Sequence, residues 1–192
     1  MAAKANETDF LQNYRAADSE ERFSIMMENY AVFLKVIRKA EKKIEYKIKA
    51  EREYQRSHNR GELGVRVQTS RKSDPTADEA VSNVTLEEAF HTGNIDGSLL
   101  KGIDEASVYE ADIRIISTMR MDYGLLVDII AGYNDEDQRI LKKYLEECKT
   151  FMVIADEEQC SYDRIKRRYK KLKEEIRDEI VECLDLNNRE GR

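Results

Sequence analysis

The fold is decided by residues 134–176, which read NDEDQRILKKYLEECKTFMVIADEEQCSYDRIKRRYKKLKEEI. Three helical patterns follow one another here, and each is opened by a residue whose side chain caps helices well: Asn134, Thr150 and Ser161. The pattern after Thr150 is short, and a tight turn at Gln159 and Cys160 separates it from the longer pattern after Ser161. A short helix, a tight turn and a capped longer helix predict a helix-turn-helix unit.

Apolar residues recur at steps of three or four through all three patterns, which places one face of each helix in a core. The expected inward residues are Ile140, Leu141, Tyr144 and Leu145, then Phe151 or Met152, Ile154 and Ala155, then Ile165, Tyr169, Leu172 and Ile176. Asp135, Glu136 and Asp137 crowd the first turn of the first helix, where the helix dipole favours negative charge. We therefore interpret these three carboxylates as part of a helix start and not as a metal site.

The third helix carries an uneven charge. Seven cations fall between Ser161 and Lys173, and Asp163 is the one acid among them. A recognition helix turns its N-terminal residues toward base edges and its flanking cations toward phosphates. The predicted base contacts are Tyr162, Asp163, Arg164 and Arg167, the predicted phosphate contacts are Lys166, Arg168, Lys170 and Lys171, and the capping residues Ser161 and Thr150 complete the DNA-binding set.

An alternative interpretation is a solvated amphipathic helix whose cations only pair with Glu174 and Glu175. A helix built for solubility alone would mix the two signs more evenly, whereas here the acids fill the turns after Lys173. DNA binding is the favoured interpretation. The acidic continuation of the helix is expected to contact protein or solvent, because it cannot lie on phosphate.

Two long helices are predicted before this region, over about residues 19–57 and 104–131. Ser19 is the expected cap of the first, and Gly132 the expected end of the second. The first helix has an apolar seam at Phe23, Met26, Tyr30, Phe33, Ile37, Ala40, Ile44 and Ile48, which could pack on the second helix or form a coiled-coil homodimer. A basic row, interpreted as a solvated face or a second phosphate-contacting surface, comprises Lys35, Arg38, Lys42, Lys49, Arg52 and Arg56.

The glycine-rich middle of the chain separates these helices. Residues 61–76 predict a linker that contains the short strand-like stretch VRVQT, and residues 77–90 predict a short helix with Val81, Val84 and Ala89 or Phe90 facing inward. The expected fold class is therefore all-α. Its predicted organisation is a long amphipathic helix over residues 1–60, a linker over 61–76, a central helical segment over 77–131 and a helix-turn-helix domain over 132–192.

Composition narrows the function classes. The chain has 192 residues and a net charge of −6, which argues against a protein that coats nucleic acid with its whole surface. The distribution of charge along the sequence therefore matters more for DNA binding than its sum. Its three cysteines are odd in number and lack a Cys-x-x-Cys spacing, which argues against a disulfide framework or a zinc site and suits the cytoplasm. The most apolar stretch, LLVDIIAGY, is too short to span a membrane. His58 and His91 lack partners at catalytic spacings, so we expect neither an enzyme nor a cofactor.

Residues 134–172 resemble the fourth conserved region of bacterial sigma factors, which reads the −35 promoter element. Ile154, Ala155, Ser161, Ile165 and the run KRR at 166–168 occupy matching places. The stretch SDPTADEAV, residues 73–81, resembles a segment that precedes such a domain in ArpU/RinA-type regulators of phages and prophages. The resemblance covers about residues 65–90 and 133–173.

The family has glycine at the turn position that Gln159 fills here, a position that often needs a positive φ; a non-glycine residue adopts that conformation at a cost of about 1 kcal/mol. The resemblance implies sequence-specific promoter binding and contact with host RNA polymerase in a bacterial cytoplasm. It implies an activator of late genes rather than a sigma factor, because no segment resembles the sigma region that melts the −10 element. The alternatives are a phage DNA-packaging recognition subunit and a helical adaptor that never touches DNA.

Overall fold

The protein is all-helical, as the sequence predicts. A computed structural model describes residues 7–58, 75–97 and 99–190, and no strand occurs among them. The helices of these residues are α1 (Glu7–Ala16), α2 (Ser19–Glu28), α3 (Phe33–His58), α4 (Pro75–Thr92), α5 (Ala106–Ala131), α6 (Asp135–Leu145), α7 (Phe151–Glu157) and α8 (Tyr162–Glu190). The strand-like stretch VRVQT and most of the predicted linker lie outside the described residues.

The chain divides into two compact units. The first comprises Met1–Val36 and Met119–Arg192, and the second comprises Ile37–Thr118. The N-terminal helices α1 and α2 thus share a unit with α6, α7 and α8. This division differs from the predicted one, in which residues 132–192 form a domain of their own.

The prediction of a single helix over residues 19–57 is wrong, because a turn over residues 29–32 separates α2 from α3. Asn29 ends α2: its backbone N–H and its side-chain Nδ2 both donate to the carbonyl oxygen of Ile25, at 3.2 and 2.8 Å. A short amide side chain that bonds to the backbone in this way competes with helix continuation. Residues 1–60 therefore contain three helices within their described part, not one.

The cap of α2 is also one residue earlier than expected. Asp18 accepts a hydrogen bond from the backbone N–H of Glu21 at 2.8 Å, and its own N–H donates to Glu21 Oε2 at 3.3 Å. This reciprocal pair is a capping box. The expected cap, Ser19, is buried and has another partner: its hydroxyl donates to Asp185 Oδ1 of α8 at 2.5 Å.

The second half of α8 packs on α2 within the first unit. Ile176, Ile180 and Leu184 are all buried, although acidic residues surround them in the sequence. The apolar face of the acidic continuation of α8 therefore contacts protein, while its acids Glu174, Asp178, Glu179 and Glu182 are exposed to solvent. The second half of α8 thus packs on a helix outside the predicted helix-turn-helix.

The apolar seam of α2 and α3 is buried inside a single chain, from Phe23 and Met26 to Ile44 and Ile48. The basic row of α3 does not form one solvated surface, because Arg52 is half-buried and donates to Ser82 Oγ at 2.5 Å and to the carbonyl oxygen of Leu99.

That contact also explains a correction in α4. Val81 and Val84, expected to face inward, are 64% and 59% exposed. Ala89 and Phe90 are buried as expected, and Leu86 is buried beside them. The inward face also includes Ser82, because the guanidinium of Arg52 donates to that hydroxyl. The hydrophobic pattern of α4 alone misassigns this face, since one of its inward positions is polar.

Candidate nucleic-acid interface

The three predicted caps at the C-terminal helices are confirmed. Asn134 Oδ1 accepts from the N–H of Asp137 at 3.1 Å, and Thr150 Oγ1 accepts from that of Val153 at 3.5 Å. Ser161 Oγ accepts from the N–H of Arg164 at 3.3 Å. Thr150 and Ser161, both predicted to bind DNA, remain exposed, so each hydroxyl proton is still available to an acceptor in solvent.

The turn between α7 and α8 has the backbone geometry that a glycine would favour. Gln159 has a φ of 52°, which is the left-handed region. The N–H of Cys160 donates to the carbonyl of Ala155 at 3.0 Å, and that of Gln159 to the carbonyl of Asp156 at 3.3 Å. These two bonds form a Schellman motif, so α7 ends sharply and α8 starts five residues later.

An aromatic cluster joins the three helices. The ring centroids of Tyr144 of α6 and Phe151 of α7 lie 4.6 Å apart, and Tyr169 of α8 lies 4.2 and 5.2 Å from these two rings. Phe151 is thus the inward residue of α7, whereas Met152, the other candidate, is 68% exposed. Aromatic contacts at these distances add to the burial of Ile154 and Ile165 and fix α7 against both neighbours.

The acids at the C-terminal end of α7 pair with lysines before that helix. Lys143 Nζ of α6 lies 2.8 Å from Glu157 and 2.6 Å from Glu158, and Lys149 Nζ, between α6 and α7, lies 2.7 Å from Glu157. Hydrogen bonds from these lysines hold the pKa of Glu157 below its ordinary value. In the described part of the chain, the salt bridges of these two carboxylates are therefore with cations that precede α7, not with the cations of α8.

Five cations on the first half of α8 are exposed, and we call them the cation row: Arg164, Lys166, Arg167, Lys170 and Lys171. Three of them have surface carboxylate partners, at 3.6 Å for Arg164 with Glu136, 3.8 Å for Lys170 and 3.3 Å for Lys171. Exposed pairs of this kind contribute about 0–1 kcal/mol and are screened by salt. A polyanion can therefore displace them at little cost.

The two other members of the row contact α8 itself. Lys166 Nζ lies 5.8 Å from the ring centroid of Tyr162, which is 45% exposed at the start of the helix. Arg167 Nε donates to the carbonyl oxygen of Asp163 at 3.2 Å. The exposed side chains of Tyr162 and Asp163, both predicted base contacts, lie in the same first turn of α8.

Arg168, a predicted phosphate contact, is held by protein instead. Its Nε lies 2.6 Å from Asp137 Oδ1, and its Nη2 donates to Asp137 Oδ2. The side chain of Asp137 is 2% exposed and also accepts from Asn134 Nδ2 at 2.6 Å. The hydrogen bonds from Arg168 hold the pKa of this carboxyl below its ordinary value. Sequence reasoning missed this pair because it assigned Asp137 to the helix dipole alone.

A groove separates the start of α6 from the first turns of α8. Its volume is about 710 Å³, and its basic lining comes from Arg164, Arg167, Arg168 and Lys171. Glu136 and Asn134 line the opposite side. The groove is thus basic along α8 and acidic at the start of α6.

Metal sites, disulfides and membrane spans are not found in the described part of the chain. No group of three His, Cys, Asp or Glu side chains is placed to hold a metal there, and the cysteines are free. None of the helices in residues 7–58, 75–97 and 99–190 has the length and apolar character needed to cross a membrane.

Comparison of the chain with protein-family models, with curated proteins and with solved structures finds no match.

Proposed function

We infer that the first half of α8 binds double-stranded DNA and that the protein is a sequence-specific transcription regulator rather than an enzyme. The observation that carries this inference is the cation row, whose five side chains are exposed and have only surface partners. Charge that serves stability alone would be distributed along the helix. Here the acids occupy the second half of α8, whose apolar face is buried against α2.

The position of the row on the helix fits the chemistry of a DNA groove. An α-helix with its side chains is about as wide as the major groove of B-DNA, so an exposed helix start can enter it. Arg164 and Arg167 carry the planar guanidinium that pairs with guanine, and Asp163 can accept from the amino group of cytosine. Lys166, Lys170 and Lys171 suit the phosphates on either side, because a phosphate needs only a point charge.

The resemblance to sigma region four and to ArpU/RinA-type regulators extends the proposal. It makes the DNA target a promoter, the partner a host RNA polymerase, and the setting the cytoplasm of a bacterium that carries a phage or prophage. The support for this extension is the set of matching residues at 73–81 and 134–172. The turn at Gln159 adds to it, because it has the positive φ of the family's glycine.

The experiment that tests the proposal compares two variants of the full-length protein for binding to a DNA duplex. Lys170→Ala with Lys171→Ala removes two cations of the row that are assigned to phosphates and should lower the salt slope of binding by about 2. The matched control is Arg177→Ala, because Arg177 is a cation of the same helix that pairs with Asp178 at 2.7 Å in the acidic half. Equal slopes for the double variant and the control would contradict the proposal.

The oligomeric state tests the DNA-packaging alternative, and the double variant tests the adaptor alternative. Light scattering would show a large ring for a DNA-packaging subunit and a small species for a regulator. A helical adaptor would keep its function in the double variant, since it does not use the cation row.

A further inference from the structure

Arg168 is set apart from the cation row by its partner. Both nitrogens that it presents to Asp137 are bonded, and the acceptor is a buried carboxylate in the first turn of α6. Asn134, the cap of the same helix, donates to that carboxylate and holds it in place. A chain of hydrogen bonds therefore runs from the start of α6 to the second turn of α8.

The geometry of this contact restrains rotation of α8 about its own axis. A guanidinium that donates two bonds to one carboxylate is fixed in both distance and angle, which a single charge contact does not achieve. Arg164 lies one turn before Arg168, and Lys171 lies one turn after it. The direction in which these two residues point is thus determined at Arg168.

We propose that Arg168 is a positioning residue, which through Asp137 fixes the rotation of α8 that turns the cation row outward, and that it does not itself bind phosphate. This inference rests on the proposed function, because the row is taken to be the DNA-binding surface. It reverses the role that the sequence assigns to Arg168. It also gives Asp137, an acid beside a basic surface, a favourable part in DNA binding.

The two roles of Arg168 predict opposite results. A phosphate contact needs only positive charge, so lysine would replace Arg168 without loss, and Asp137→Asn would release a cation and tighten binding. A positioning residue needs the planar fork, so Arg168→Lys weakens binding although the charge is unchanged. Asp137→Asn then also weakens binding, although it removes a negative charge near DNA.

The experiment uses the full-length protein and a fluorescein-labelled duplex of mixed sequence, about three helical turns long. The matched controls are Arg177→Lys, which makes the same exchange at a cation of α8 outside the cation row, and Glu136→Gln, which neutralises the exposed acid next to Asp137. Arg168→Lys and Asp137→Asn should each weaken binding by about three- to tenfold with an unchanged salt slope, because no phosphate contact is lost. Arg168→Lys that binds like Arg177→Lys, or Asp137→Asn that tightens binding, would overturn the inference.

A measurement on the free protein keeps the inference separate from the proposed function. Amide hydrogen exchange over residues 162–173 should be faster in Arg168→Lys and Asp137→Asn than in their controls, while exchange over 176–184 is unchanged. If the wild-type protein binds no duplex, the proposed function fails, and this measurement still decides whether the pair holds α8. Unchanged exchange in both variants would overturn the inference whatever the binding result.

Discussion

The hydroxyl of Tyr14 donates a hydrogen bond of 2.8 Å to Asp122 Oδ2, and both side chains are buried. Arg22 lies 3.5 Å from the same oxygen, and its guanidinium lies 5.4 Å from the ring centroid of Tyr14. Burial raises the pKa of Asp122, and the hydrogen bond from Tyr14 opposes that shift. Helices α1, α2 and α5 are therefore joined in the first unit by one carboxylate, which accepts a hydrogen bond from Tyr14 and forms a salt bridge with Arg22.

Tyr14→Phe should destabilise the protein by about 1–3 kcal/mol, because it removes a donor from a buried carboxylate. The pKa of Asp122 is higher in the folded protein than in the unfolded chain, where it is about 3.9. The protonated carboxyl therefore adds to the free energy of unfolding below about pH 3.9, and this stabilisation is lost as the pH rises through the folded pKa. The loss in Tyr14→Phe should therefore be larger at neutral pH than near pH 4. Urea unfolding at both pH values measures it, with Tyr46→Phe at an exposed site as the control.

Asp137→Asn should remove part of the acid sensitivity of folding. Because Arg168 lowers the folded pKa of Asp137, this carboxyl stabilises the protein above its unfolded pKa of about 3.9, and the contribution is lost as pH falls through the folded value. The difference in unfolding free energy between wild type and Asp137→Asn should shrink below about pH 4. A constant difference between pH 7 and pH 3 would contradict this account; Asp163→Asn, at an exposed acid of α8, serves as the control.

Gln159→Gly should stabilise the protein or leave its stability unchanged. The positive φ at this position costs a non-glycine residue about 1 kcal/mol, and the gain from relieving it is partly offset by the greater freedom of glycine in the unfolded chain. Gln159→Ala keeps a β-carbon at the positive φ, so it does not relieve the strain and should not stabilise the protein. Equal effects of the two substitutions on the urea midpoint would show that the turn is not strained.

Ile180→Ala should cost about 2–5 kcal/mol, because Ile180 is fully buried where α8 packs on α2. For the same reason, residues 132–192 expressed alone should be far less helical than they are in the full chain. Circular dichroism of the fragment and urea unfolding of the full-length variant check the two expectations. A fragment as stable as the full protein would contradict the division into units.

Local features of the sequence predict most of the helices, because a cap and a seam are set by residues close together. Asn134, Thr150 and Ser161 cap the helices that they were expected to cap. The break at Asn29 is harder to predict, since asparagine is tolerated within helices and its competing bonds to Ile25 depend on its rotamer.

The partners of polar side chains are much less predictable. Arg168 and Asp137 are 31 residues apart, and Ser19 and Asp185 are 166 apart. Each of these residues has an ordinary local interpretation, as a phosphate contact, a helix-start acid or a cap. Only the packing of α8 on α6 and α2 shows that they have other partners.

The most direct test of the central claim is the salt dependence of DNA binding by the full-length protein. Each phosphate contact contributes about 0.9 to the slope of log Kobs against log salt, so the slope should lie between about −3, for the three lysines of the row alone, and about −5, for all five of its cations. Fluorescence anisotropy with a labelled duplex over a series of salt concentrations measures it. A slope in that range would support DNA binding through α8, and a flat response or no binding at low salt would contradict it.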